Sequence, residues 1–251
     1  MSETTTTGPA ASARPKQLLR QGNSNLKRDG IWVWTLPALK AELPDGTKIV
    51  TCNQAGTCAL VCYARFGTYT WSNVSAAHVA NLRFVHEDLA GWDRAMRAEL
   101  AHKKFEGAHI RIHDAGDFYK PEYLIAWLGI IRDFPATTFY AYTKEVLLVR
   151  EHMKAKPPNL HLIFSLGGKQ DRFVDRETER FGDVFADEES IAPAGFHSQA
   201  ASDLLSFQGP SPVGMAAKQR PRELARQGDR TLGEWQREHD LKRGFLTAEQ
   251  G

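Results

Sequence analysis

Three cysteines lie close together in the sequence and carry its clearest chemical signal. Cys52, Cys58 and Cys62 stand in CNQAGTCALVCYA, a C-x5-C-x3-C arrangement, and the 251 residues contain no other cysteine. In a reducing compartment an odd number of thiols within eleven positions is not typical of a disulfide framework and favours metal binding. We expect one compact metal site in this loop.

The number of thiols indicates which metal centre to expect. A structural zinc site normally has four protein ligands, whereas three thiolates can hold a 4Fe-4S cluster and leave one iron open to a further ligand. The sequence therefore predicts a 4Fe-4S cluster on Cys52, Cys58 and Cys62. Its role would be redox chemistry, electron transfer or the binding of a small ligand at the open iron.

Two other interpretations of the cysteines stay open at this point. Zinc could take His78 or His113 as a fourth ligand, which would make the chain a zinc-stabilised module that binds a host protein through the basic stretch at residues 218–230. Alternatively, the three thiols could be small buried hydrophobic groups without metal.

Two further residues of the loop fit a cofactor site. Gly56 would let the backbone pass close to a cluster, so that amide N–H groups could donate to its sulfides. Tyr63, with the aromatic residues that follow it, could shield the cluster from water. We therefore expect both residues to contact the cofactor.

The segment RIHDAGDFY is the second chemical feature. Arg111 and His113 share one face of a predicted strand, and Asp114 and Asp117 follow the end of that strand. Gly116 would give the backbone freedom to turn Asp117 toward the cysteine loop, where its carboxylate could ligate the open iron. His113 and Asp114 are expected beside the cofactor. The alternatives are an ion pair between Asp117 and Arg111, and a histidine that is satisfied in the core.

The segments FYAYTK and FSLGG end two more predicted strands in polar or small residues. Thr143 and Lys144 stand where they could contact an anionic ligand, and Gly167 and Gly168 could admit a ligand close to the backbone, although such a pair is more typical of a turn. Together with the cysteine loop, these segments predict a single shared site.

The elements that must position these residues alternate along the chain. GTKIVTC is typical of a short strand that leads into Cys52, and residues 73–104 have the apolar spacing of two helices, broken near Gly91. Three strand-like segments, AHIRIHDAGDF, TTFYAYTK and LHLIFSLGG, then alternate with helical stretches at 122–132 and 145–153. This pattern predicts an α/β fold with a parallel sheet, either open or curled into a partial or distorted (β/α) barrel. In such folds ligands bind at the carboxyl ends of the strands.

The composition sets the limits of the domain and its partners. We expect a disordered tail at residues 1–24, a single α/β domain at 25–215 and a charged tail, helical or frayed, at 216–251.

The net charge of +2, from 32 Lys and Arg against 30 Asp and Glu, does not indicate nucleic acid or an anionic membrane as a partner. No apolar run is long enough to span a bilayer, and the N-terminus lacks a signal sequence, so we expect a cytoplasmic protein. Its partner would be a small-molecule ligand or a redox protein.

Five blocks of the sequence resemble the phage gene product 88 family, which occurs chiefly in viruses of actinobacteria. In order, they are CNQAGTCALVCYARFGTY, NVSAAHVANLRF, IRIHDAGDFYKPEYLIAW, TTFYAYTK and LHLIFSLGG, and they cover about residues 25–215. The resemblance implies a phage-encoded iron-sulfur protein of unsettled biochemical role, acting in the host cytoplasm. Some relatives carry further cysteines near the C-terminus, and since this chain has none after Cys62, a second cluster is not expected.

A weaker similarity points to radical S-adenosylmethionine enzymes. These also place a three-cysteine loop after the first strand of an α/β barrel, and AGD at 115–117 stands where their Gly-containing acidic motif would lie. Their usual spacing is C-x3-C-x2-C, and both intervals are longer here. The similarity implies, as an alternative, an enzyme that binds S-adenosylmethionine at the open iron.

Overall fold

An eight-stranded, mostly parallel sheet forms the centre of the fold in the computed structural model, which describes residues 15–218 and 220–247. Its strands are β1 (Arg20–Gln21), β2 (Ile31–Trp34), β5 (His109–Ile112), β6 (Thr138–Thr143), β7 (Leu160–Ser165), β8 (Phe181–Phe185), β9 (His197–Ser198) and β10 (Val213–Ala216). Their order is β1-β2-β5-β6-β7-β8-β10-β9, and among these neighbours only β1 and β2 run antiparallel. β3 (Lys40–Glu42) and β4 (Lys48–Val50) form a separate antiparallel pair.

The helices lie between and after the strands. They are α1 (Ser24–Arg28), α2 (Ser72–Glu87), α3 (Leu89–Leu100), α4 (Pro121–Asp133), α5 (Val146–His152), α6 (Leu205–Gln208), α7 (Pro221–Gln227) and α8 (Leu232–Lys242). The predicted break between the first two long helices falls at Asp88, which ends α2 and caps α3 by accepting a 2.8 Å hydrogen bond from the Gly91 N–H.

The two faces of the sheet have different covers. On one face, alternate strand residues such as Ile110, Phe139 and Leu162 join the large core formed with residues of α2, α3, α4 and α5. Trp92 and Trp127 pack edge-on in that core, with ring centroids 5.2 Å apart. On the other face a smaller core contains Leu26, Ile31, Val33, Tyr140, Ile163 and Phe207.

The prediction of an α/β fold with a largely parallel sheet is confirmed. The strand order begins at β1 and ends at β9, so the described strands form an open sheet, and the predicted partial or distorted (β/α) barrel is not confirmed. The segment before Cys52 supplies β4, but in the separate hairpin. No helix among residues 15–218 and 220–247 has both the length and the apolar character required to cross a bilayer.

The tails predicted at 1–24 and 216–251 are described only in part. Residues 1–14 lie outside the described residues, and residues 20 and 21 form β1. In the C-terminal stretch, α7 and α8 account for most of the described residues, and α8 packs against β8 and the cysteine loop.

Candidate functional site

The cysteine loop, residues 52–62, is docked on the carboxyl ends of the parallel strands. The N–H groups of Gly56 and Cys58 donate to the carbonyl oxygen of Gly167, just beyond β7, at 3.2 and 3.1 Å. The side-chain amide of Asn53 donates to the Tyr119 carbonyl at 2.9 Å, between β5 and α4. The predicted convergence of the cysteine loop with the strand ends is therefore present in the fold.

The C-terminal helix α8 holds this loop from its other side. Thr57 N donates to Gln236 Oε1 at 2.8 Å, and Thr57 Oγ1 donates to the Leu232 carbonyl at 3.0 Å. A Cβ on Gly56 would lie 2.0 Å from Gln236 Oε1 and 2.9 Å from the backbone carbonyl oxygen of Gly167, so glycine is needed for this close packing. Sequence reasoning missed the role of α8, although TLGE contains a capping box, in which Thr231 and Glu234 begin the helix.

The three cysteines are free thiols with partly exposed side chains. Burial, reinforced by the nearby Asp117 carboxylate, raises the pKa of Cys52 to about 12. Burial also raises the pKa of Cys58, against the lowering effect of the Lys144 ammonium, and raises the pKa of Cys62. All three are therefore neutral thiols at neutral pH.

Asp117 is a buried carboxylate that joins the ends of β5 and β6. Its Oδ1 accepts hydrogen bonds from Phe118 N at 2.8 Å and Thr143 Oγ1 at 2.7 Å, and its Oδ2 accepts one from Lys144 N at 2.9 Å. Burial raises its pKa, while these hydrogen bonds lower it. Both oxygens are thus engaged within the protein, and Asp117 does not pair with Arg111, the partner expected in the alternative interpretation.

Lys144 joins the end of β6 to the end of β7. Its Nζ donates to the carbonyl oxygens of Ser165 and Leu166, each at 2.9 Å, and to Ser165 Oγ at 2.6 Å. An ammonium group has three donors, so these acceptors account for all of them. The Asp171 carboxylate accepts from the N–H groups of Gly167 and Gly168 at 2.7 and 2.8 Å, and burial raises its pKa to about 7.

The predicted metal centre is wrong. Among the residues that the structure describes, no three His, Cys, Asp or Glu side chains are grouped so that they could hold a metal ion. The physical reason is local: the predicted fourth ligand, Asp117, has both of its oxygens engaged by Phe118, Thr143 and Lys144 and has none to offer a metal ion. The same finding overturns the predictions that depend on a metal centre: the 4Fe-4S cluster, its redox role, S-adenosylmethionine at an open iron and the zinc module.

The two histidines considered as zinc ligands lie in different surroundings. His113 is buried beside Phe118, and its Nε2 lies 2.8 Å from Tyr123 Oη in the aromatic core. Burial lowers its pKa to about 3, so its ring is neutral. His78 lies on α2, with its ring centroid 6.0 Å from that of Tyr69.

A cluster of polar residues that sequence reasoning did not assemble lies beside the cysteine loop. We name it the tyrosine–arginine cluster, and it consists of Tyr63, Tyr69, Arg111, Asp114, Tyr140, Tyr142, Gln199 and Asp203. Tyr63 follows Cys62 directly, so the cluster adjoins the thiols. The alternation of FYAYTK placed Tyr140 and Tyr142 on one face, but nothing in the sequence pattern brought residues 199–203 over them.

Arg111 is the charged centre of this cluster. Its Nη1 lies 3.2 Å from Asp203 Oδ2 and 3.8 Å from Asp114 Oδ1, and the three side chains are between 11% and 20% exposed. Burial acts to lower its pKa, but the two carboxylates raise it well above the usual value, so Arg111 stays charged.

Tyrosine hydroxyls satisfy the remaining acceptors of the cluster. Tyr63 donates to the Asp114 carbonyl, Tyr69 donates to the Asp114 carboxylate, and Tyr140 donates to Asp203. Burial raises the pKa of all three phenols, so they remain neutral donors. The predicted contact residue Tyr63 is 40% exposed at the mouth of the cluster.

The thiols, the strand-end groups and the tyrosine–arginine cluster together form one polar surface, which we name the strand-end recess. Its two buried or partly buried cations are already engaged by acceptors of the protein, Arg111 by Asp114 and Asp203 and Lys144 by Ser165 and Leu166. These cations therefore do not favour the anionic ligand predicted from Thr143 and Lys144, and an uncharged or cationic ligand fits the recess better.

Comparison with known proteins gives a family match. A family model described as "Gene product 88" matches residues 16–243. The chain is similar to the "Gene 88 protein" of Mycobacterium phage D29, with 33% identity over 131 residues, and to that of Mycobacterium phage L5, with 31% identity over 131 residues. Each alignment covers 49% of this chain and 54% of the relative, so the chain spans about half the length of these curated relatives. No solved structure matches significantly.

Proposed function

This chain belongs to the gene product 88 family, and we propose that it binds a small, uncharged or cationic polar ligand in the strand-end recess. The observation that carries the proposal is the docking of the cysteine loop on Gly167, which holds three partly exposed neutral thiols over the carboxyl ends of a parallel sheet. Parallel α/β sheets bind their ligands at this edge. The relatives come from bacteriophages, and we place the binding in the host-cell cytoplasm.

The residues differ in the role that we assign to them. Cys52, Cys58 and Cys62 would line the recess as weak donors and polarizable contacts, because neutral thiols interact with both apolar and polar groups. Tyr63 would offer its exposed ring and hydroxyl at the mouth. These groups can bind a ligand without covalent chemistry.

Other residues of the recess would act through these contact groups. Asp114 fixes the hydroxyls of Tyr63 and Tyr69, while Asp117, Thr143 and Lys144 hold the strand ends together. Gly56 lets the cysteine loop pack against α8. We therefore expect their replacement to weaken binding through a loss of rigidity.

A thermal-shift measurement tests the proposal. Neutral amino acids, nucleosides and polyamines would be compared with dicarboxylic acids and nucleotides as probes. A ligand at 100 times its Kd stabilises the folded state by about 2.7 kcal/mol, which raises the Tm of a domain of this size by roughly 5–10 °C. We expect a shift with at least one uncharged or cationic probe and none with the anionic probes.

A pair of variants locates the binding. Cys62→Phe would place a ring in the partly exposed recess at the carboxyl ends of the strands. Glu106→Phe adds the same ring at an exposed position just before β5, at the amino ends of the strands. The Tm shift should be lost in the first variant and kept in the second. A shift that both variants keep, or one produced only by anionic probes, would contradict the proposal.

A further inference from the structure

Two adjoining cavities lie beside α8, and the outer side of the cysteine loop at Gly56 and Thr57 lines one of them. Their volumes are about 600 and 670 Å³, and they share a wall made of Arg172, Phe173, Asp240 and Phe245. We name the combined surface the α8 groove. Its charges and its aromatic ring serve no purpose in the ligand site proposed above.

The α8 groove is strongly basic. Five exposed cations line it, namely Lys169, Arg172, Arg176, Arg237 and Arg243. None of the five forms an ion pair with another side chain in the described part of the chain. Lys169 Nζ donates to the Asn53 carbonyl at 2.9 Å and Arg172 Nη1 to the Lys169 carbonyl at 3.4 Å, but these neutral acceptors leave the positive charges uncompensated for an anionic partner.

The carboxyl groups that line the groove do not neutralise these cations. Asp240 is buried and accepts a 2.9 Å hydrogen bond from Gln236 Nε2, and Asp171 accepts the N–H groups of Gly167 and Gly168. Both serve the interior of the protein. The net charge of +2 therefore conceals a local concentration of positive charge.

An exposed aromatic ring lies within cation–π distance of two of the arginines. Phe245 is 54% exposed, and the guanidinium carbons of Arg172 and Arg243 lie 5.8 and 5.6 Å from its ring centroid. An exposed ring flanked by cations can stack a nucleic-acid base while the cations bind the phosphates on either side of it.

We propose that the α8 groove binds single-stranded nucleic acid, with a base on Phe245 and backbone phosphates at Arg172 and Arg243. A single strand is favoured over a duplex because stacking on a protein ring requires a base that is free of its partner. An acidic polypeptide would use the cations equally well but would gain nothing from a stacking platform. This inference does not depend on the ligand proposed for the strand-end recess.

Fluorescence anisotropy with a labelled 15-nucleotide single-stranded DNA and the full chain tests the proposal. Because binding neutralises phosphates, a plot of log K against log salt concentration should have a slope of about −2 to −3.5, as expected for three to five contacts. The double variant Arg172→Gln/Arg243→Gln should weaken binding about tenfold or more. The matched double variant Arg94→Gln/Arg132→Gln, at exposed arginines of α3 and α4, should change it less than about twofold.

Phe245→Leu separates stacking from charge. It should weaken binding about fivefold or more for the ordinary strand and leave binding of an abasic strand of the same length unchanged, because only bases stack. Three results would overturn the proposal: no saturable binding at 50 mM salt, equal losses in the two double variants, or equally effective competition by polyglutamate or duplex DNA.

Discussion

The two faces of strands β5 and β6 differ in chemistry, although alternate residues of the same two strands supply both faces. On one face Ile110 and Phe139 pack into the large apolar core under the helices, and on the other Arg111 and Tyr140 hydrogen-bond to Asp203. The first face, which we call the helix face, is covered by amphipathic helices that the sequence pattern predicts. The polar face is covered by an irregular segment near Asp203, and its order depends on specific polar contacts.

The helix face and the polar face contribute differently to stability and to binding. Burial of large apolar side chains supplies most of the folding free energy, and its loss leaves a cavity. A buried polar cluster contributes less net free energy to folding, but it holds donors and acceptors in fixed positions. Removing only one member of such a cluster is strongly destabilising, because its partner is left buried and unpaired. Variants on the two faces should therefore differ in magnitude and in kind.

The largest expected effect is on the helix face. Trp127→Ala removes a fully buried ring that packs against Trp92 and Tyr123, and should lower the free energy of unfolding by about 3–5 kcal/mol. Ile125→Ala on the same helix is the control, since Ile125 is 51% exposed, and should cost less than about 1 kcal/mol. Urea unfolding of both variants measures the difference, and equal losses would contradict the assignment of this face as the core.

The next effect is on the polar face. Asp203→Ala leaves Arg111 with only the more distant Asp114 and removes the acceptor of Tyr140, so we expect a loss of about 3 kcal/mol. Asp133→Ala removes an exposed partner of Arg97 and should cost no more than about 1 kcal/mol.

A double-mutant cycle with Arg111→Met then tests whether the cost of Asp203→Ala comes from the uncompensated cation. The combined variant should be more stable than Asp203→Ala alone. If Asp203→Ala and Asp133→Ala cost the same in urea unfolding, the polar face is not an ordered cluster.

A smaller effect is expected at Glu145, which lies between the end of β6 and the start of α5. Burial, helped by the charge of Asp117, raises the pKa of this carboxyl group to about 7. The folded state therefore holds its proton more tightly than the unfolded state, and stability falls as pH rises from about 4.5 to about 7.

Glu145→Gln should remove that part of the pH dependence, a change of about 1 kcal/mol between pH 5 and pH 8 after allowance for solvent screening. Glu151→Gln, at an exposed position of α5, is the control variant. A profile that is the same in the wild type and Glu145→Gln would show that Glu145 does not titrate in this range.

Local periodicity predicted the elements that border the helix face. The helical pattern at 122–132 corresponds to Pro121–Asp133, and that at 145–153 to Val146–His152. The three strand-like segments correspond to β5, β6 and β7. They could be predicted because successive residues of a strand point to opposite faces of the sheet, whatever packs on each face. Convergence at the carboxyl ends followed from the general rule for parallel sheets.

The other strands and the character of the site depend on long-range contacts that no local sequence pattern encodes. Glycine, proline and serine interrupt the region of β8, β9 and β10, so those strands gave little periodic signal. Cysteine spacing alone could not show that both oxygens of Asp117 are engaged within the protein. The net charge likewise hid the cations of the α8 groove, since opposite charges elsewhere on the chain cancel them in the sum.

The most direct test of the strand-end recess is the rate at which iodoacetamide alkylates its thiols, measured by peptide mass spectrometry. The probe with the largest thermal shift would be added to the variant Glu106→Cys, which carries a control thiol at the opposite edge of the sheet. We predict that the probe slows alkylation of Cys52, Cys58 and Cys62 by about tenfold or more at concentrations well above its Kd and leaves the control thiol unaffected. Unchanged rates at all three native cysteines would contradict a ligand site at the strand ends.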